Sequence, residues 1–385
     1  MSKPGVIVIE GHVQGLSNTR AFGELGVPVY VIDTGNCISK YSKHCTEFFY
    51  CPPYHCNELA DFLIELAEKY ELNDWLLFPS NDNAALTISR NKNRLKNHFK
   101  FLVPEYDIFQ NIYDKSRLLK LASAAGIFIP ITNFNDQNHE INPNLVFPVI
   151  TKGRFGLDFY KKTGRKAFFA QTFDELNKQL KQISSVISLD KTLTQEVIED
   201  DGKNKTVSFT AFCLNGEIKT YWMGMKLREH PERFGTATFA KSIKIPECYD
   251  LSAILLNKLN YTGICEIEYI QDPKDDNFKL IEINPRTWLW VELAKISGIN
   301  YAKITYDYVH NNPINYPHDY KIDLNWINPF TDLVYSLLAI LKRRLSLMSY
   351  IESLKKDKVN ALYYNDDKKP VFMYLLLILK FLRNR

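Results

Sequence analysis

Phe278 to Arg286, Phe-Lys-Leu-Ile-Glu-Ile-Asn-Pro-Arg, constrains this chain more than any other stretch. Under strand alternation Leu280, Glu282 and Asn284 share one face, and Ile281 and Ile283 share the other. One face is then oily, and the other offers a carboxylate and an amide oxygen. Fourteen residues upstream of Glu282, Glu268 stands in a second strand-like run, Gly-Ile-Cys-Glu-Ile-Glu-Tyr-Ile. Asp275, Asp276 and Asn277 signal a turn between the runs, so the two should pair as a hairpin with Glu268 beside Glu282 and Asn284. Like charges held together in a sheet are costly unless a cation neutralises them. A hard, oxygen-seeking ion such as Mg2+ suits the set. On pattern alone, two ordinary strands carrying solvated acids are an equally good account.

A chain of 385 residues can build two or three subdomains around sizeable cores. Hydrophobic residues at 45% and charged ones at 24% give an ordinary globular balance. A net charge of +4 is too small to argue for a nucleic-acid partner. Seven cysteines, an odd number, behind a start that lacks a signal-peptide pattern argue for reduced thiols in the cytoplasm. Cys37, Cys45, Cys51 and Cys56 form no C-x-x-C pair, so thiols packed under a loop are expected rather than zinc. No apolar run reaches the roughly 18 to 20 residues that span a bilayer.

Taken in order, Val6-Ile-Val-Ile9 reads as a buried parallel strand, followed by a turn, a helix over Ser17 to Leu25 and a second strand from Val29 to Ile32. Gly11-His-Val-Gln-Gly15 departs from G-x-G-x-x-G, which argues against a nicotinamide cofactor. Arg20, on the helix, either faces a ligand carboxylate or is a solvated helix residue. Trp75 to Phe78 is another strand, ending in Pro79-Ser80-Asn81-Asp82, where Asn81 or Asp82 could simply cap the next helix. Asp114-Lys115-Ser-Arg opens a helix that stops at Gly126, with Pro130 beyond. Phe147 to Lys152 is a strand ending in a cation. Gly153 to Lys166 is basic and sparsely glycine-bearing, read either as an anion-binding loop or as a solvated turn. Thr194 to Asp200 is a short strand and linker, and Lys226-Leu-Arg228 opens a basic loop running to Arg233 and Gly235.

Glu268, then Glu282-Ile-Asn284-Pro-Arg286, resembles the metal-binding signature of the ATP-grasp superfamily, in the branch of carboxylate–amine ligases. The resemblance covers about residues 1 to 312. It implies an α/β and α+β protein: an ATP-grasp fold with an N-terminal doubly wound pre-ATP-grasp domain (1–105), an ATP-grasp domain (106–312, lid about 135–195) and a helical C-terminal tail (313–385). By the same resemblance Glu268, Glu282 and Asn284 hold Mg2+, as two ions with Mn2+ able to substitute, on the phosphates of ATP. Lys115 and Lys152 meet those phosphates. Glu196, Val197 and Ile198 form the hinge that pairs adenine, and Glu199 or Asp201 takes the ribose hydroxyls. Arg286, supported by Arg228, stabilises an acyl phosphate, and Ser80 and Asp82 line a substrate pocket with Arg20 as a further candidate. The implied reaction joins a small-molecule carboxylate to an amine through an acyl phosphate, releasing ADP and phosphate. An amino acid joined to a sugar or peptide acceptor in cell-envelope synthesis fits best. The sparse glycine in the lid keeps a non-catalytic nucleotide-binding scaffold as the alternative.

The tail is less specific. Asp332 to Leu354 carries an apolar stripe beside Lys342-Arg343-Arg344, and Pro370 opens another apolar run ending among cations. Either these helices pack on the core, or residues 330–385 rest peripherally on the inner face of an anionic membrane. A homodimer also stays open.

Overall fold

A computed structural model describes residues 3–135, 141–199, 205–230 and 235–383. Asp201 and Arg233 lie outside the described residues. Three sheets organise the chain.

The first is parallel, in the order β3-β2-β1-β4-β5. It contains β1 (Val6–Ile9), β2 (Val29–Asp33), β3 (Glu47–Tyr50), β4 (Trp75–Pro79) and β5 (Phe99–Phe101), joined through α1 (Val13–Glu24), α2 (Glu58–Tyr70), α3 (Asp82–Arg90) and α4 (Lys92–Leu95). The four apolar residues of β1 are needed because both of its faces are covered. Val6 and Val8 pack with Leu16 and Phe22, whereas Ile7 and Ile9 pack with Leu63 and Ile88. Strand order reverses at β1, and such switch points open a crevice at the strands' carboxyl ends. Glu10, Asp33 and Ser80 stand there. The α1 helix begins at Val13, earlier than the sequence predicts, so Gln14 and Asn18 also reach this crevice.

Next come α5 (Tyr106–Tyr113) and α6 (Lys115–Ala124), then a four-stranded antiparallel sheet in the order β6-β9-β7-β8. Its members are β6 (Thr132–Asn133), β7 (Val149–Gly153), β8 (Ala167–Ala170) and β9 (Thr192–Glu196), backed by α7 (Gly156–Thr163) and α8 (Phe173–Ser184). The basic segment after Lys152 is therefore mostly helix, not the loop or turn read from its composition. Gly153 is required where it stands, because a Cβ there would lie 2.3 Å from the Phe159 side chain.

The third sheet has seven strands in the order β14-β13-β10-β11-β12-β15-β16. They are β10 (Thr206–Leu214), β11 (Glu217–His230), β12 (Thr236–Ile243), β13 (Gly263–Gln271), β14 (Phe278–Asn284), β15 (Asn325–Ile327) and β16 (Lys358–Asn360). Helices α9 (Pro246–Lys258), α10 (Val291–Ser297), α11 (Tyr301–Val309), α12 (Pro329–Leu341), α13 (Leu347–Lys355) and α14 (Lys369–Arg383) complete the chain. Asn215 and Gly216, both at positive φ, close the β10–β11 hairpin, the preference of a two-residue turn.

The C-terminal part carries the expected helices and also adds two edge strands to this sheet. Two buried ion pairs fasten it down. Arg20 Nε lies 2.9 Å from Asp367, and Arg228 meets Asp332 with both Nε and a terminal nitrogen at 2.8 Å. The tail thus packs on the core, through partners 347 and 104 residues apart in sequence.

Candidate active site

The hairpin predicted from Glu268 and Glu282 forms as β13 and β14. Glu268 faces Glu282 across the ladder, and Glu266 faces Asn284. Its turn is closed by Asp272, which accepts from the Lys274 N–H and shares backbone hydrogen bonds with Asp276 and Asn277. Simple alternation fails at one point. A register shift beside Glu268 pairs Tyr269 with Leu280, leaving Ile281 as the extra residue of a bulge. Leu280 is thereby turned to the oily side with Ile283 and Phe278, and the acids keep their own side.

That polar side gathers more than the motif named. Asn284 Nδ2 donates to Glu266 at 3.1 Å and reaches Glu268 at 3.5 Å, and Ser208 Oγ donates to Glu266 at 2.7 Å. Lys226 Nζ lies 2.5 Å from Glu268, and Lys115 Nζ 2.5 Å from Glu282. Lys115 is placed by its neighbour Asp114, whose carboxylate caps α6 by accepting from the N–H groups of Ser116 and Arg117. Asp114 also binds Arg154 through two hydrogen bonds, which ties the residue after β7 to the start of α6.

These contacts set the protonation states. The Lys115 ammonium, with burial opposing, holds the Glu282 carboxyl well below the usual carboxylate range. Burial, then the Glu268 charge, pushes Glu266 upward. Lys152, on β7, is lowered to about 7, by burial first and then by the nearby Lys115 charge. No carboxylate lies within ion-pair distance of Lys152 among the described residues. An amine so held lacks an anion.

Arg286 closes the site toward the first sheet. Its Nε lies 3.1 Å from Asp82, a second nitrogen donates to the same carboxylate at 3.3 Å, and Glu266 is 3.7 Å away. Burial opposes its charge, yet Asp82 and Glu266 raise its pKa. Beside this pair, Asn18 donates to Ser80 at 2.9 Å and to Thr287 at 2.8 Å, bridging the first sheet to the irregular segment following the hairpin. Glu10, at a positive φ of 76°, accepts from Gln14 and is raised to about 7 by burial and the Asp33 charge. Asn81, not Asp82, caps α3.

Of the residues singled out from sequence, Lys115, Lys152, Glu268, Glu282, Asn284, Arg286, Asp82 and Ser80 converge. Arg20 does not: it is neither solvated nor in the crevice, but buried on Asp367 and under the Tyr364 ring. Nor does Arg228. A bulge in β11 between Lys226 and Arg228 reverses their facing, so Lys226 enters the site and Arg228 leaves it for Asp332 and the Phe239 ring.

At the end of β9, where the resemblance puts the hinge, the Glu196 side chain is spent on structure, accepting from the Ile131 N–H at 2.9 Å and from Lys279 at 3.1 Å. The Val197 N–H is bound to Pro148, while the Ile198 N–H has no acceptor among the described residues. Glu199 follows directly after Ile198 at this edge. Glu10, Glu266 and Lys226 were not named as site residues. The polar alternation of Cys-Glu-Ile-Glu around Glu266 was a legible signal; the fold alone brings in Glu10.

Whether this set fits a metal is decided by its donors. Three carboxylates and an amide lie on one side of one hairpin, all oxygen ligands, as Mg2+ requires. Among the described residues no three acids, cysteines or histidines already converge on one point, since Lys115 and Lys226 each hold one of the facing glutamates. The lysines act as counter-charges that a cation would replace. The residues fit.

Comparison with known proteins agrees with this geometry. Residues 246–307, which span the hairpin, match the family model described as "Carbamoyl-phosphate synthase L chain, ATP binding domain". D-aspartate ligase of Enterococcus faecium is 24% identical over 253 residues, or 62% of this chain; the chain spans 60% of that relative's length. The biotin carboxylase domain of Hydrogenobacter thermophilus 2-oxoglutarate carboxylase, solved as a dimer with MgADP, ADP and bicarbonate, superposes with a TM-score of 0.65 at 17% identity, covering 84% of this chain and 74% of that one. L-amino acid ligase from Bacillus licheniformis gives 0.60 at 13% identity, covering 80% and 74%. N5-carboxyaminoimidazole synthetase from Staphylococcus aureus gives 0.62 at 15%, covering 84% and 81%. Fold, matched segment and relatives agree that this chain has the ATP-grasp fold and is similar to ATP-grasp ligases.

Proposed function

We propose that the chain is an ATP-dependent carboxylate–amine ligase. The observation that carries this reading is the meeting of Lys115 from α6, Lys152 from the small sheet and Glu282 from the hairpin, three elements distant in sequence, at one cleft. Two lysines around a row of oxygen donors suit a nucleotide triphosphate with its divalent ion.

In this mechanism Lys152 and Lys115 neutralise phosphate oxygens; Glu268, Glu282 and Asn284 would hold Mg2+, which would supply charge neutralisation on the transferring phosphoryl group. The adenine would lie against Val197 and pair with the backbone of Glu196 and Ile198, with Glu199 or Asp201 as the ribose partner. A substrate carboxylate oxygen attacks the γ-phosphorus and ADP leaves. The amine then attacks the acyl carbon, phosphate departs, and the nitrogen loses a proton. Arg286, held in place by Asp82, presents its charge to the acyl phosphate and to the oxyanion that follows. Ser80, Asn81, Asp82 and Glu10 wall the substrate end.

Resemblance to a D-aspartate ligase supports an amino acid as the carboxylate or amine partner; a cell-envelope sugar or peptide as the acceptor completes the proposal. In this reading the reaction runs in the cytoplasm, where seven free thiols would stay reduced. The test is a screen of carboxylate–amine pairs for ADP release with Mg2+, with Glu282→Ala as control. A pair that releases ADP at least about 100-fold faster with the native chain supports the reading. Full turnover by Glu282→Ala would refute the site, and nucleotide binding without ADP release for any pair would favour a scaffold.

A further inference from the structure

The α12 helix is built inside out. Its buried residues, Asp332 and Ser336, are polar, and Asp332 is turned inward by its pair with Arg228 and a hydrogen bond from Thr238. Its outward side is apolar: Leu333, Val334, Leu337, Leu338 and Leu341 recur at helical spacing, the last of them 80% exposed. A helix of a free-standing globular protein has the opposite polarity. The next helix, α13, repeats the pattern with Leu347, Met348, Ile351 and Leu354 exposed.

Cations frame this apolar surface. Lys342, Arg343 and Arg344, all exposed, form the turn between the two helices, Lys355 ends α13, and Lys356 and Lys358 follow it. Residues 329–385 hold 11 basic and 5 acidic side chains, whereas the rest of the chain holds 37 and 39. Two of those five acids, Asp332 and Asp367, are buried in ion pairs, so the accessible charge is more positive still.

We propose that the α12–α13 face docks on an anionic lipid surface, the leucine stripe entering the headgroup boundary and the cationic turn meeting the lipid phosphates. Charge decides between lipid and a second copy of the chain. A two-fold pairing of this face would bring two basic turns onto one interface, whereas an anionic bilayer neutralises them. No described helix is long and apolar enough to cross a membrane, so the contact is peripheral. It is independent of the ligase reading, because it needs neither nucleotide nor substrate.

The experiment is flotation of the full chain with vesicles of phosphatidylcholine alone or mixed with phosphatidylglycerol, without nucleotide. The native chain is expected to float with the anionic vesicles, at least tenfold less with neutral ones, and less as salt rises. Paired Lys342→Glu and Arg343→Glu should weaken binding at least about 20-fold, from roughly fivefold per cation. Paired Leu337→Glu and Leu341→Glu should abolish it. All four side chains are exposed, and unchanged thermal melting of the variants checks that the fold survives. Equal recovery on neutral and anionic vesicles, or indifference to both variants, overturns the proposal. So does a native dimer on gel filtration that becomes monomeric in the Leu337/Leu341 variant without any flotation.

Discussion

The role proposed for Lys152 makes nucleotide binding a proton-linked event. Its pKa is lowered to about 7, by burial and then by Lys115, with Glu282 opposing. Phosphate oxygens placed beside it would restore the charged form and return its pKa toward the ordinary value of about 10.4. Binding above neutrality therefore takes up a proton. The sign follows directly: a nucleotide that prefers the ammonium binds more weakly as pH rises and the free site loses it. With a pKa of about 7, the protonated fraction falls from about one half at pH 7 to about 1% at pH 9. Affinity should fall about 50-fold over that span, or ~2.3 kcal/mol.

Titration calorimetry of MgADP at pH 8, in buffers of different ionisation enthalpy, reads the proton count directly and should give about 0.9 proton taken up. Lys152→Met should bind more weakly at pH 7 and show almost no uptake. The same residue leaves a second trace. Its folded pKa lies below its unfolded one, so the unfolded chain binds more protons between about pH 7 and 10.5, and this group adds stability to the empty protein as pH rises through that window. If native chain and Lys152→Met have the same uptake and the same pH slope, the lysine does not face the phosphates and the cleft has been misread.

Arg228→Ala should unfold the protein more easily by about 3–5 kcal/mol, because it strands the fully buried Asp332; chemical denaturation measures it, and the double variant with Asp332→Asn should recover part of the loss. Activity of the surviving folded fraction should be near native, which separates a structural arginine from one that touches the acyl phosphate. Gly224→Ala places a Cβ 2.2 Å from the Trp290 ring on the side of the sheet that also bears Lys226, and should cost about 1–3 kcal/mol by the same assay.

What could be read from the chain and what could not divide along physical lines. The acidic hairpin was legible because its information is local: alternation supplies the faces, an Asp-Asp-Asn turn supplies the pairing, and both acids lie within one β-ribbon. Lys115 and Lys152 were legible only through resemblance, since a cation at a helix start or strand end has no spacing signal of its own. Bulges defeated the rest. One extra residue at Ile281 moves Leu280 to the other side of the sheet, and one at Leu227 sends Arg228 away while leaving Lys226 in place. Alternation cannot announce its own interruption, because the bulge is chosen by the neighbouring strand.

Arg20 marks the other boundary. Its helix reads as surface until Asp367 arrives from the far end of the chain, when an arginine that looked solvated becomes one of the most buried groups in the molecule. The same logic explains α12. Its buried polar face is intelligible only once Arg228 is known to need Asp332, and that requirement is what turns five apolar side chains outward. A charge displaced from the active-site side of β11 by a single bulge thus fixes the rotation of a helix, and with it the chemistry of the surface the protein shows to its surroundings.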